Sequence, residues 1–189
     1  MRKFVLAAVV LVLMADGARA ATLNVIDGQL HGAFGVDVGG TLYDVEFLDG
    51  TCIALFNGCD AVSDFTFQSS ALAAAASQAL LDQVLLDGVL GNFDSTPALS
   101  NGCEGLDECF FYTPYGLSGS FVSLRRIAVN SQSGSDRILS GSGGSSNDQT
   151  NFSLSTYARW TQIPEPSAAH LVALGLTGLS RAKRGRNRS

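Results

Sequence analysis

The sequence predicts a β-rich α+β body, a small antiparallel sheet or sandwich with one covering helix, flanked by a signal peptide and a C-terminal membrane segment. Three observations predict it. Apolar and polar residues alternate on both sides of Gly39-Gly40, a two-residue turn signal, as they do in half-buried antiparallel strands. Residues 71–87 are rich in alanine and leucine, with large apolar residues at helical spacing. Each end of the chain combines a short apolar run with basic residues.

Taken in order, Arg2 and Lys3 form a charged leader, Phe4 to Ala15 an apolar stretch, and Ala18-Arg19-Ala20 an A-x-A cleavage site before Ala21. Residues 1–20 therefore read as a secretory signal peptide, to be removed by a signal peptidase. The body, residues 21–163, carries fifteen Asp and Glu against four arginines and no lysine, although the whole chain has a net charge of only −5. Such a surface repels nucleic acid and favours solubility, with attraction of cations as a secondary reading.

The Gly39-Gly40 turn pairs Val38 with Thr41. Continued without interruption, that register sets Val36 opposite Tyr43, Phe34 opposite Val45 and Gly32 opposite Phe47 on one apolar face. The other face carries His31, Asp37, Asp44 and Glu46. Carboxylates gathered there, Asp37, Asp44 and Glu46, could serve a glycosidase as acid and base or hold calcium, whereas solvated acids on a wet sheet face are the plainer account. Asp49-Gly50 ends the strand.

The cysteines form two close pairs, Cys52/Cys59 and Cys103/Cys109. In an oxidising compartment an even count reads as disulfides. Three connectivities are open, and local pairing is the expectation. The spacings C-x6-C and C-x5-C differ from the C-x2-C of a zinc site. Asp64 to Phe67 reads as a short strand. A helix follows, capped by Ser69 or Ser70 and ended by Gly88, with Leu80, Leu81, Val84 and Leu85 on its inner face. Asn101 to Cys109 is an acidic disulfide loop with Glu104, Asp107 and Glu108. Thr113-Pro114-Tyr115-Gly116 reads as a turn, Phe121 to Asn130 as a strand, and Ser131 to Asn151 as a mobile loop rich in Ser and Gly. Phe152 to Trp160 is a final strand with Phe152, Leu154, Thr156, Ala158 and Trp160 on one face. Neither a Gly-x-Ser-x-Gly elbow nor a His-Glu-x-x-His motif occurs. No catalytic residue, metal site or cofactor is predicted.

Residues 164–189 have three parts. Pro164-Glu165-Pro166 is an extended spacer, because each proline fixes its own φ. Ser167 to Ser180 is an uncharged run of 14 residues, about 21 Å as a helix against roughly 30 Å of bilayer hydrocarbon. Arg181, Lys183, Arg184, Arg186 and Arg188 form a basic stop-transfer tail that the positive-inside rule keeps cytoplasmic. Snorkelling of Arg181 and Lys183 makes up part of the deficit in span.

Ile163-Pro164-Glu165-Pro166, then Leu174-Gly175-Leu176, Gly178-Leu179 and Arg181-Ala182-Lys183-Arg184, resemble the PEP-CTERM sorting signal of exported bacterial proteins. The resemblance implies processing at or near Pro-Glu-Pro by an exosortase, a membrane-embedded cysteine transpeptidase of bacteria that make extracellular polysaccharide. It also implies a route. The chain is exported and held transiently in the inner membrane through residues 167–180, with its C-terminus cytoplasmic. It then reaches the cell surface or the extracellular matrix, where it associates with exopolysaccharide. Between Gly35 and Gln83 the wording Gly-Gly-Thr-Leu-Tyr-Asp-Val-Glu-Phe and Ala-Ser-Gln-Ala-Leu-Leu-Asp is similar to an ectodomain of such proteins, which lends no catalytic residues. The expectation is a non-enzymatic envelope or matrix protein. The alternatives are a secreted glycan-active hydrolase using the hairpin carboxylates, and a cation- or glycan-binding module.

Overall fold

The computed structural model describes residues 20–105, 107–119 and 122–164. Residues 1–19, Glu165, Pro166, the apolar segment 167–180 and the basic residues Arg181, Lys183, Arg184, Arg186 and Arg188 lie outside the described residues.

Two tight turns organise the N-terminal meander of β1 (Thr22–Ile26), β2 (Gln29–Val38) and β3 (Thr41–Leu48). Gly39 and Gly40 take φ of 64° and 89°, the left-handed values that a turn matched to strand twist requires. Asp27-Gly28 forms a second turn of the same kind, with φ of 52° and 83°, and adds β1 to the sheet.

The expected register holds from Val38↔Thr41 to Val36↔Tyr43 and then shifts. Phe34 and Gly35 together oppose Asp44, so Ala33 pairs with Val45 and Gly32 with Glu46, not Phe34 with Val45 and Gly32 with Phe47. A β-bulge inserts one residue and inverts the facing of everything before it. Ala33 is consequently buried and Phe34 is exposed. Gly35, at φ 71°, supplies the left-handed residue, and Asp44 Oδ1 accepts its N–H at 3.0 Å. On β3 the expected facing is correct: Val45 and Phe47 are buried and Glu46 is exposed.

Helix α1 (Cys52–Leu55) starts at Thr51, whose hydroxyl accepts the Ala54 N–H at 3.1 Å. The expected strand at Asp64–Phe67 is not one. Val62–Asp64 is a single 3-10 turn, and Phe65 and Phe67 are buried in two different hydrophobic clusters. The strand before it in the chain, β3, offers that segment no edge, because it is paired on both sides by β2 and by the C-terminal strand. Helix α2 (Ser70–Gln83) is capped by Ser69, which accepts the Leu72 N–H at 3.3 Å. It ends at Val84 and not at Gly88, which instead lies in β4 (Asp87–Gly88), paired with β5 (Gly91–Asn92). Leu80, Leu81, Val84 and Leu85 are buried, as the periodicity predicts. Beyond the reach of β1, Gln83 stands in for a strand: its amide accepts the Asp37 N–H at 3.0 Å and donates to the Asp37 carbonyl at 2.8 Å.

β6 (Glu108–Leu117), β7 (Val122–Ser131) and β8 (Arg137–Gly144) form a second meander. Two expectations fail here. Thr113-Pro114-Tyr115-Gly116 is no turn but strand with a bulge at Tyr115; Pro114 lies beside that bulge and past the stretch that β9 pairs, positions that tolerate a missing N–H. The segment 131–151 is no continuous loop, since β8 occupies its centre. Its glycines are packing residues. A Cβ on Gly141 would meet Ile127 Cδ1 at 2.8 Å, and one on Gly143 would meet Arg125 Cζ at 2.8 Å.

β9 (Ser155–Gln162) joins the two halves into a seven-stranded sheet of order β1-β2-β3-β9-β6-β7-β8. It runs antiparallel to β3 but parallel to β6, so the sheet is mixed and not antiparallel. Phe152 and Leu154 precede the strand and are exposed, while Thr156, Ala158 and Trp160 are buried. Tyr157, on the opposite face, is buried too, among Cys52, Phe56, Cys59 and Phe65. Helix α2 packs on the other face, over β2, β6 and β7. The disulfides are the local ones, Cys52–Cys59 and Cys103–Cys109, with Cα atoms 5.7 and 5.8 Å apart.

Candidate functional site

The hairpin carboxylates are each committed to a separate local task. Asp37 Oδ1 accepts the Gly40 N–H at 2.6 Å and fixes the turn. Asp44 caps the bulge at Gly35. Glu46 accepts from Arg159 Nε on β9 at 3.1 Å. His31 occupies the irregularity between β1 and β2, where the register shifts from Asn24↔Gly32 to Val25↔Leu30. Among the described residues, no three His, Cys, Asp or Glu side chains form a metal-ligating group.

Polar groups gather instead at the other end of β3, in a cleft of about 340 Å³ lined by Gln29, Asp49, Asn101, Glu104, Gln149 and Phe152 among others. Four segments build it, the start of β2, the end of β3, residues 101–104 and residues 149–153, and hydrogen bonds hold them together. Asn101 donates through its N–H to the Leu30 carbonyl at 2.9 Å and through Nδ2 to the Phe47 carbonyl at 2.8 Å. The Cys103–Cys109 loop is stitched to the β9 approach where Glu104 N–H meets the Ser153 carbonyl at 2.7 Å. The 3-10 turn Gln149–Asn151 docks through Gln149 N–H on the Gly50 carbonyl at 3.0 Å, and Ser155 Oγ donates to Gln149 Oε1 at 2.7 Å. Cα-only space at Gly102 completes the floor: a Cβ there would collide with Asp49 Oδ1 and meet Thr156 Oγ1 at 2.8 Å.

The cleft is electronegative. Burial raises the Asp49 carboxyl above its ordinary value of 3.8; the Thr156 hydroxyl beside it works in the opposite direction, and the charges of Asp148 and Glu104 raise it further. Asp49 Oδ1 and Thr156 Oγ1 are both buried without a well-directed hydrogen bond. Among the described residues, no arginine lines the cleft. Arg126 is held by Ser70 and Ser140, Arg137 by Glu108, and Arg159 by Glu46, while Arg125 stacks 3.8 Å from the centre of the Tyr112 ring. A carboxyl whose folded pKa is raised binds its proton more tightly in the folded state, so stability falls as pH rises from 3.8 through the folded value and stays lowered above it. Asp49→Asn is therefore expected to raise the melting temperature at pH 7 and to give no gain well below pH 4, where both states hold the proton; thermal melts across that range test this.

No protein-family model matches the chain, and no curated protein or solved structure matches it either. The cleft thus stands on its own geometry. Sequence reasoning missed it, treating Asp49 as a strand stop, Glu104 as a solvated loop acid, and Gln149 and Phe152 as loop and strand residues. Nothing in their spacing could have joined them, since β3, the disulfide loop and the β9 approach meet only in three dimensions. The single local hint is Asp49-Gly50, where a strand ends in an acid.

Proposed function

We propose that this chain is an exported cell-envelope or extracellular-matrix protein, sorted and processed by an exosortase through residues 164–189, with a non-enzymatic body associated with exopolysaccharide. The resemblance of the C-terminal segment to a PEP-CTERM signal carries the reading, and the end of the fold supports it. Among the described residues the last backbone hydrogen bond at the C-terminal strand is Ile163 N–H on the Leu42 carbonyl, at 2.9 Å. Pro164 follows at once and is exposed. A cut at or after the Pro164-Glu165-Pro166 motif would therefore leave every strand of the sheet intact. The two disulfides suit an oxidising compartment. Among the described residues no helix is long and apolar enough to cross a membrane; the anchor proposed is residues 167–180, on the resemblance of the C-terminal segment alone. The hydrolase reading is weaker, because Asp37, Asp44 and Glu46 are each engaged elsewhere.

Intact-mass measurement of the released protein from its native host tests the proposal. The expected product begins at Ala21, ends near Pro164 to Pro166, and keeps both disulfides. Replacing Pro164 and Pro166 with alanine is expected to hold the protein in the membrane fraction with Arg188 still attached. A released wild-type protein that retains Arg188 would overturn the reading.

A further inference from the structure

We infer that the cleft between Asp49, Asn101, Glu104 and Gln149 binds neutral pyranose units of a polysaccharide, with Phe152 as the stacking platform at its rim. The inference deepens the polysaccharide association proposed above and rests on that reading for its setting.

Three features carry it. At about 340 Å³ the cleft lies at the small end of ligand pockets, room for a sugar unit or two and not for an extended apolar ligand. Amide and carboxyl side chains line it: those of Gln29 and Glu104, and those of Asn101 and Gln149, part of whose capacity already goes to the Phe47 carbonyl, the Asn147 carbonyl and the Ser155 hydroxyl. Such groups offer paired acceptors, or an acceptor beside a donor, matching neighbouring hydroxyls that can both donate and accept. Phe152 is 54% exposed at the edge of this polar surface, anchored by its N–H to the Gln149 carbonyl at 2.8 Å. A phenyl ring left in water beside a hydrogen-bonding cleft presents a flat apolar face to the C–H face of a sugar ring.

Charge narrows the ligand class. Asp49 and Glu104 line the cleft, Asp148 acts on it electrostatically, and among the described residues no arginine lines it. Uronic, sulfated and phosphorylated sugars are repelled by that field, whereas uncharged hexoses are not. Position agrees with access. Pro164 leaves the sheet beside Leu42 at the start of β3, and Asp49 follows the end of β3. The eight residues of that strand separate the two by roughly 25 Å, so the cleft opens on the pole opposite the tether.

The test uses the full chain, exported so that both disulfides form and purified in detergent. It is titrated calorimetrically with gluco-, galacto- and manno-configured neutral hexasaccharides and with a hexauronate. At least one neutral hexasaccharide is expected to bind at millimolar or lower concentration, and the hexauronate to bind more weakly or not at all. Phe152→Ala is expected to weaken binding about tenfold, the loss of one stacking contact. Phe34→Ala, a comparably exposed phenyl (51%) outside the cleft, is expected to change nothing. Circular dichroism confirms that both variants fold. No binding by any neutral hexasaccharide, preference for the uronate, or equal effects of the two phenylalanine variants would each overturn the inference. None of these readouts involves the C-terminal segment. Failure here leaves the sorting result as measured, and a released protein retaining Arg188 leaves the binding result as measured.

Discussion

Gly32→Ala is expected to destabilise the folded protein by at least about 3 kcal/mol, despite adding only one methyl group. Gly32 lies inside β2, buried, at φ 136°. An L-residue rarely adopts that backbone, and the surroundings forbid relaxation. A Cβ would collide with the Val45 carbonyl oxygen and stand 2.9 Å from its carbon and 3.0 Å from Glu46 Cα. All three are main-chain atoms of the neighbouring strand, not tips of side chains that could rotate away. Making room means prising β2 from β3 next to the bulge, where Gly32 is paired to Asn24 on one side and Glu46 on the other. Urea denaturation of wild type and variant measures the difference. A loss below about 1 kcal/mol would mean that β2 can shift there, and that the strain assigned to this glycine is wrong. Gly28→Ala, a turn position with open space around it, is the reference for the effect of backbone conformation alone.

Phe47→Ala is expected to cost about 3–5 kcal/mol by the opposite mechanism, removal of packed volume. Phe47 is 1% exposed and packs against Phe111 on β6, with ring centroids 4.6 Å apart. The contact spans β9: Phe47 pairs with Ala158, and β9 pairs with β6 at Phe111↔Thr156. Truncation opens a cavity at the junction between the two meanders, in a close-packed interior that fills it only in part. Phe47→Leu keeps most of the volume and is expected to lose less than half as much. Equal losses for the two variants in denaturant unfolding would show that the site tolerates a void and that Phe47 does not key the halves together.

These two substitutions lie on either side of what local reading can reach. The glycine's neighbours, Val36, Val38, Thr41 and Tyr43, follow directly from the Gly39-Gly40 turn, because turn chemistry is local and an alternating pattern propagates from it. The bulge at Phe34-Gly35 breaks that propagation. Gly35 within an alternating run is a recognised signal for one, and it was the only sign that the parity would invert. Helix α2 and a serine cap at Ser69 or Ser70 were legible too, since capping and 3.6-residue periodicity depend on neighbours in sequence, but its end fell at Val84 and not at Gly88. Local disulfide pairing was the expectation from the close spacing and even count of the cysteines, with two other connectivities open, and the bridges are the local ones.

Legible from the residues alone were the acidic body between two short apolar runs flanked by basic residues, a glycine-turned hairpin, one helix with a serine at its start, and cysteines near enough to pair with their neighbours. Tertiary structure alone decided that the last strand enters the middle of the sheet and lies parallel to β6, that Gly141 and Gly143 belong to a strand and not a loop, and that Asp49, Glu104, Gln149 and Phe152 share one cleft. The reason is the range over which each is specified. Turns, caps and helical faces are set by residues a few positions apart, whereas strand order and convergent side chains depend on which edges remain unpaired once the rest of the sheet has formed.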